Sequence, residues 1–307
     1  MYATVLLAIT VLSTIAGGTQ DASTQTAERW TVDPVNAPGV EYVEFQSELA
    51  KTAVSVHVWL PPGYVADPQR RYPVLYWLHG SGGGASGVRP LSVEFARAVE
   101  SGEVPPLIVV FPHGLPRSLW CDAVDGHRPV ESVLVREIVP LIDARYRTLP
   151  AGEHRVIEGF SMGGYGAARI GFAHNDVFGA ISILAGGPLQ KDFTYSPRAT
   201  PQERERVLRD VFSGDLANFR RLSPWQLAED RAAELKQRKT LIRQVIGEED
   251  NTLPANRAFH ERLKALGIEH EYVELPGIGH DPRPMLRDDA AGRAAFLRKA
   301  LSRPRRS

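Results

Sequence analysis

Ser161 lies in Gly159-Phe160-Ser161-Met162-Gly163, between a short apolar run and an Ala-rich segment of helical character. A serine hydroxyl is a poor nucleophile until a base takes its proton. A strand-to-helix junction is a place where such a serine can be used. The sharp turn exposes Oγ at its apex, and the following helix aims its positive dipole end at the same point. Glycines at 159 and 163 fit that geometry, because a Cβ at either position would collide with closely approaching backbone. The five-residue pattern alone occurs by chance, and the apolar run before it and the helix after it give it chemical meaning. The plain alternative is a tight turn with a solvated serine. Displacing it requires a base, a carboxylate and an oxyanion site elsewhere in the chain.

There are nine histidines. His57 on an alternating strand, His154 in a polar turn, His174 at a helix end, His260 within a helix and His270 at a strand start read as packing or surface groups. His127 follows Gly126 in a loop, and His113 follows a buried strand but precedes the serine in the chain. His280 stands in Pro276-Gly277-Ile278-Gly279-His280-Asp281, just after the last strand. The glycines there free a loop to turn an imidazole back over the sheet, and His280 is the predicted base.

A carboxylate must hold the imidazole tautomer and stabilise the imidazolium. It is expected on the loop after the preceding strand, Gly247-Glu248-Glu249-Asp250-Asn251. Asp250 is the choice, since the chain has by then cleared the strand, with Glu249 and Glu248 as fallbacks. Asp281 adjoins His280 and reads as a hydrogen-bonding group of its own loop. The resulting order, Ser161, Asp250, His280, is that of the α/β-hydrolases. Attack on a carbonyl also needs donors for the oxyanion, each worth about 3 kcal/mol. The backbone N–H of Met162 is one. The second is expected from His79-Gly80-Ser81-Gly82-Gly83-Gly84, at Ser81 with Gly80 as the alternative. No Gly-Lys-Ser/Thr follows these glycines, which excludes a P-loop, and no His-Glu-x-x-His or similar spacing calls for a metal. No cofactor is expected.

The elements that must position these groups follow from the apolar pattern. Residues 41–47 and 52–60 alternate apolar with polar and read as antiparallel edge strands. The nearly unbroken apolar runs at 73–79, 107–112, 155–160, 180–185 and 240–246 read as strands buried on both faces, with a further strand at 269–275. Helical segments are expected at 89–101, 130–146, 162–173, 254–266 and 289–302. Strands alternating with helices imply right-handed crossovers, a mainly parallel central sheet and helices on both faces. Residues 187–239 are charged and proline-punctuated, with helical patches at 201–212 and 226–238, and read as a helical insertion over one end of the sheet. One domain spanning 40–303 accounts for this pattern.

The 307 residues are 43% hydrophobic and 23% charged, and 36 basic residues balance 36 acidic ones. This is soluble globular composition, with no charge excess to favour nucleic acid or an anionic membrane. The basic residues near the C-terminus read as a solvated last turn and tail. The single cysteine, Cys121, excludes an intrachain disulfide and reads as a buried, inert thiol. Residues 5–16 form an apolar run shorter than the roughly 20 residues of a membrane span. Small and polar residues follow, so 1–22 reads as a signal peptide cleaved between 16 and 22, and 23–39 as a linker. The expected location is secreted, cell-envelope or periplasmic, with no membrane span after processing.

With these residues placed, the chain resembles the esterase D-like family of α/β-hydrolases, which includes feruloyl and acetylxylan esterases, S-formylglutathione hydrolase and the mycolyltransferases. The resemblance covers about 40–300. It rests on Tyr76-Trp77-Leu78-His79-Gly80-Ser81-Gly82-Gly83, Gly159-Phe160-Ser161-Met162-Gly163-Gly164, Gly247-Glu248-Glu249-Asp250 and Pro276-Gly277-Ile278-Gly279-His280-Asp281. By motif position it implies nucleophile Ser161, acid Asp250 and base His280. The stretch 111–120 is similar to a family loop that walls the pocket, which implies Trp120, with Gly80, near substrate. The implied function is a serine carboxylic-ester hydrolase on a small or polymer-linked ester of carbohydrate or cell wall. An acyltransferase of mycolyltransferase type would use the same triad, and a non-catalytic binding protein is the reading from another class. Nothing in 187–239 matches a motif that would fix the acyl or alcohol group.

Overall fold

The computed structural model describes residues 29–303. The apolar run at 5–16 and its expected cleavage region lie outside the described residues. In chain order the elements are β1 (Val40–Ser47), β2 (Thr52–Trp59), β3 (Val74–Leu78), α1 (Val88–Glu100), β4 (Ile108–Pro112) and α2 (Val130–Ser132). A π-wound stretch, Val133–Ile138, carries α2 into α3 (Val139–Arg145). There follow β5 (Arg155–Phe160), α4 (Met162–Ala173), β6 (Ala180–Leu184), α5 (Pro201–Phe212), α6 (Leu216–Leu222), α7 (Pro224–Gln237), β7 (Leu241–Gly247), α8 (Leu253–Ala265), β8 (Glu271–Leu275), α9 (Pro282–Asp288) and α10 (Ala290–Leu301).

The strands form one sheet in the order β1-β2-β4-β3-β5-β6-β7-β8. The pairs β1–β2 and β2–β4 are antiparallel and all others parallel. This is the α/β-hydrolase architecture. Every residue of β3, β4, β5 and β6 is buried, which is why these strands read as continuous apolar runs. Side chains still alternate across the sheet. Tyr76, Leu78, Val110 and Ile157 join a core with α4 and α8 on one face. Leu75, Trp77, Val109 and Val156 join a core with α1 and α10 on the other. From β3 the chain passes to β4 on one side, and β5 lies on the other. Connections that leave adjacent strands in opposite directions open a crevice at the strands' carboxyl ends. The loops after β3 and β5, with Ser81 and Ser161, flank that crevice.

Some charges are buried within this frame. Glu158 on β5 is fully buried and accepts from the Ser182 hydroxyl (2.9 Å) and from the Arg293 guanidinium of α10 (2.5 Å). Arg293 also reaches Glu94 on α1 (2.5 Å) and lies over the Phe95 ring. A buried charge is tolerated only when paired and hydrogen-bonded, so this cluster ties β5, α1 and α10 together. Cys121 is buried, and burial pushes its thiol up to about 11; it is a packing residue.

The 187–239 region holds three helices rather than the two expected. Ser213-Gly214-Asp215 and Ser223-Pro224 leave α6 too short to show helical periodicity. The N-terminus of α5 is fixed by a capping box, in which Thr200 accepts from the Glu203 N–H and Glu203 accepts from the Thr200 N–H, with Pro201 in the first turn. Phe219 of α6 packs against Tyr165, Phe193 and Phe212, so the insertion is anchored on α4. The described part of the expected linker, 29–39, is docked on β2. Trp30 is buried, the Val32 N–H donates to Ser55 Oγ, and the Val35 N–H donates to His57 Nε2. Among the described residues, no helix is long and apolar enough to cross a membrane.

Candidate active site

β5 ends at Phe160 and α4 begins at Met162, so Ser161 alone makes the turn, at φ 58° and ψ −119°. A non-glycine residue held at positive φ of this kind costs roughly 1–3 kcal/mol. The surroundings enforce it. The Ser161 N–H donates to the Leu184 carbonyl (2.9 Å), and the Ser161 carbonyl accepts from the N–H groups of Tyr165 and Gly187 (3.0 Å each). A Cβ on Gly159 would lie 2.4 Å from the Gly163 carbonyl oxygen, and one on Gly163 would lie 2.0 Å from the Leu78 oxygen. Both glycines are therefore required by the close backbone approach.

The loop after β8 carries His280 to this turn. Its Nε2 is 2.8 Å from Ser161 Oγ, and its Nδ1 is 2.6 Å from Asp250 Oδ2. The imidazole packs against the Phe160 ring, with centroids 4.8 Å apart. Asp250 is buried, whereas Glu248 and Glu249 are exposed. Burial opposes charge on Asp250, but the bond from His280 and the backbone N–H of Thr252 together outweigh it and hold its pKa below the ordinary carboxylate value. The Thr252 N–H and hydroxyl both donate to Oδ1 at 2.8 Å, leaving Oδ2 for His280. Asp281 caps α9 through the Arg283 N–H. The three groups expected from sequence thus meet in one hydrogen-bonded line. Thr252, which orients the carboxylate, had no sequence signal beyond its place beside the loop.

Met162 opens α4, and the first N–H groups of a helix have no intrahelical acceptor. Ser81 lines the same pocket as Ser161, Met162 and His280. Its carbonyl accepts from the Arg117 N–H (3.2 Å). Gly80 lies beside the serine turn, where a Cβ would be 3.6 Å from the Phe160 oxygen and 3.7 Å from Ser161 Cβ. The place expected for Trp120 needs correction. It is buried below the pocket with its indole against Gly114 and Gly166, and its Nε1–H donates to the His79 carbonyl (3.1 Å). Leu119 and Arg117 face the pocket in its stead. Much of the remaining wall comes from the insertion, through Pro188, Gln190, Phe193, Arg198, Glu203 and Val207. Sequence reading left these unassigned, and only the apolar positions of α5 hinted at a face turned inward.

His79 braces the two loops. Gly114 N–H donates to its Nε2 (3.0 Å), which puts the proton on Nδ1, from where it donates to the Gly80 carbonyl (2.8 Å). Burial pushes the pKa of His79 down to about 4, against about 6.5 in an unfolded chain. The unfolded state therefore binds more protons between those values. The stability this residue supplies is complete above about pH 6.5 and is lost as pH falls to about 4. Calorimetry from pH 8 to pH 4 is expected to show a smaller decline of Tm below pH 6.5 in His79→Gln than in the wild type. Parallel curves would deny His79 this role.

A family model described as "Putative esterase" matches residues 47–283. Esterase MT1326 of Mycobacterium tuberculosis is 30% identical over 282 residues, covering 86% of this chain and 61% of that protein. The chain thus spans about three-fifths of that relative's length. An endo-1,4-beta-xylanase/feruloyl esterase of Xylanibacter ruminicola is 30% identical over 175 residues, 54% of this chain and 24% of that one. Among solved structures, a ferulic acid esterase superposes with a TM-score of 0.71 at 23% identity, covering 85% of this chain and 98% of its own.

Proposed function

Given that the chain belongs to this esterase family, we propose that it hydrolyses carboxylic esters through an acyl-enzyme formed on Ser161. The observation that carries the reading is the line of hydrogen bonds from Ser161 Oγ through His280 to Asp250. His280 Nε2 takes the hydroxyl proton as Oγ attacks the ester carbonyl, and Asp250 holds Nδ1–H and stabilises the imidazolium. The backbone N–H groups of Met162 and Ser81 receive the oxyanion. When the tetrahedral adduct collapses, His280 returns the proton to the departing alcohol. A water then repeats the sequence on the acyl-enzyme and releases the acid.

An ester linked to carbohydrate or cell-wall polymer is the proposed substrate class. The sequence likeness to a protein named xylanase/feruloyl esterase supports it. The proposal includes export, which rests on the sequence of residues 1–22 alone.

A fluorophosphonate probe followed by peptide mass spectrometry is expected to place one adduct on Ser161. The same protein is expected to turn over p-nitrophenyl acetate and methyl ferulate. A folded protein that neither takes up the probe nor hydrolyses p-nitrophenyl acetate would end the esterase reading. Turnover of the acetate without methyl ferulate would end only the feruloyl assignment.

A further inference from the structure

The pocket at Ser161 joins two kinds of surface. Leu119, Met162, Phe193 and Val207 give it apolar walls, and Arg117 and Arg198 line the same space. Both arginines are exposed. Among the described residues, neither side chain makes a hydrogen bond or ion pair, although arginines 29, 97, 155, 220, 243, 257, 262 and 293 are each paired with a carboxylate. The acidic residue on the pocket wall, Glu203, spends its carboxylate on the Thr200 N–H (2.9 Å) and hydroxyl (3.0 Å). It closes a helix cap, and although Arg117 acts on it electrostatically, it lies at ion-pair distance from neither arginine.

Arg117 is also held in place at a cost. Its φ is 56°, in the left-handed region, and its N–H is fixed to the carbonyl of Ser81. Strained non-glycine residues that the surroundings over-determine cluster at ligand sites. The planar guanidinium fork matches a carboxylate or similar oxyanion.

We infer that the substrate carries an anionic oxyacid group beside its ester, received by Arg117 and Arg198 at the rim of an apolar pocket. This rests on the esterase reading and narrows it to amphipathic esters with an apolar body and a negatively charged end. The ester bond is broken as already described, and the anion takes no part in the chemistry. It orients the substrate and raises kcat/KM.

The test compares each anionic ester with its neutral isostere. The acyl arm sets p-nitrophenyl hemisuberate, whose carboxylate is too distant along the chain to attack its own ester, against its terminal amide. The alcohol arm sets 4-acetoxybenzoate against 4-acetoxybenzamide. Because both arginines are exposed, water screens their pairing with an anion, and the two together are expected to favour the anion about three- to ten-fold in kcat/KM in at least one arm. The arm that shows it tells which side of the ester bears the charge. The preference should shrink in 0.5 M NaCl, as screening requires, and the ratio should fall to about one in Arg117→Gln/Arg198→Gln. Since both esters of a pair report on the same folded fraction, misfolding cancels from the ratio. A wild-type ratio of one or below in both arms, or a ratio that survives the double substitution, overturns the inference. Absence of turnover with all four esters would instead strike at the esterase reading.

Discussion

Replacing Ser161 with alanine is expected to lower kcat for p-nitrophenyl acetate by on the order of 10⁶-fold, leaving only what binding and oxyanion donors supply. Alanine removes the hydroxyl that lies 2.8 Å from His280 Nε2 and keeps the Cβ. It leaves the backbone bonds that fix φ at 58° untouched. The variant should therefore fold with near wild-type Tm. Ser161→Gly is the informative companion. It should be equally inactive yet more stable, by about 1 kcal/mol in urea unfolding, because glycine accepts positive φ without strain. Undiminished turnover in Ser161→Ala would remove Ser161 from the reaction. A glycine variant no more stable than alanine would show that the turn stores no strain.

Asp250→Asn is expected to reduce kcat about 10⁴-fold with the fold intact. The amide oxygen can still accept from Thr252 at the Oδ1 position, where both bonds are now 2.8 Å. The amide nitrogen then faces His280 Nδ1, which must become an acceptor. That tautomer carries its proton on Nε2, pointing at Ser161, and can no longer take one. Glu248→Gln and Glu249→Gln make the controls, since both carboxylates are exposed. They should stay within about two-fold of wild type, as surface changes away from a site usually do. An Asp250→Asn enzyme with near-normal kcat would show that the imidazole needs no carboxylate here.

The parts of this molecule that could be read from sequence are those where one local rule suffices. Strands buried on both faces leave unbroken apolar runs, so β3, β4, β5, β6 and β7 fall within a residue or two of the expected spans. The glycines at 159 and 163 declare a close backbone approach because no other residue tolerates it. The edge strand β8 begins two residues later than expected, because the half-exposed Glu269-His270 lacks a pairing signal. Short elements between punctuating residues, α6 and α9, escape periodicity altogether. The loop before Trp120 escapes for another reason. Leu115, Arg117, Leu119 and Trp120 all take positive φ. Nothing in non-glycine side chains announces that conformation, yet it decides which of them face the pocket and which turn under it.

The clasp between Glu158 and Arg293 bears on how the central strand depends on distant chain. Glu158 lies on the same strand that delivers Ser161, and its partner comes from the last helix. Without Arg293, that strand would have to bury an uncompensated negative charge, at a cost of several kcal/mol. His280 likewise comes from far along the chain, 119 residues after Ser161. A chain lacking α10 would keep His280 but leave β5, the strand that delivers Ser161, without the partner of its buried carboxylate.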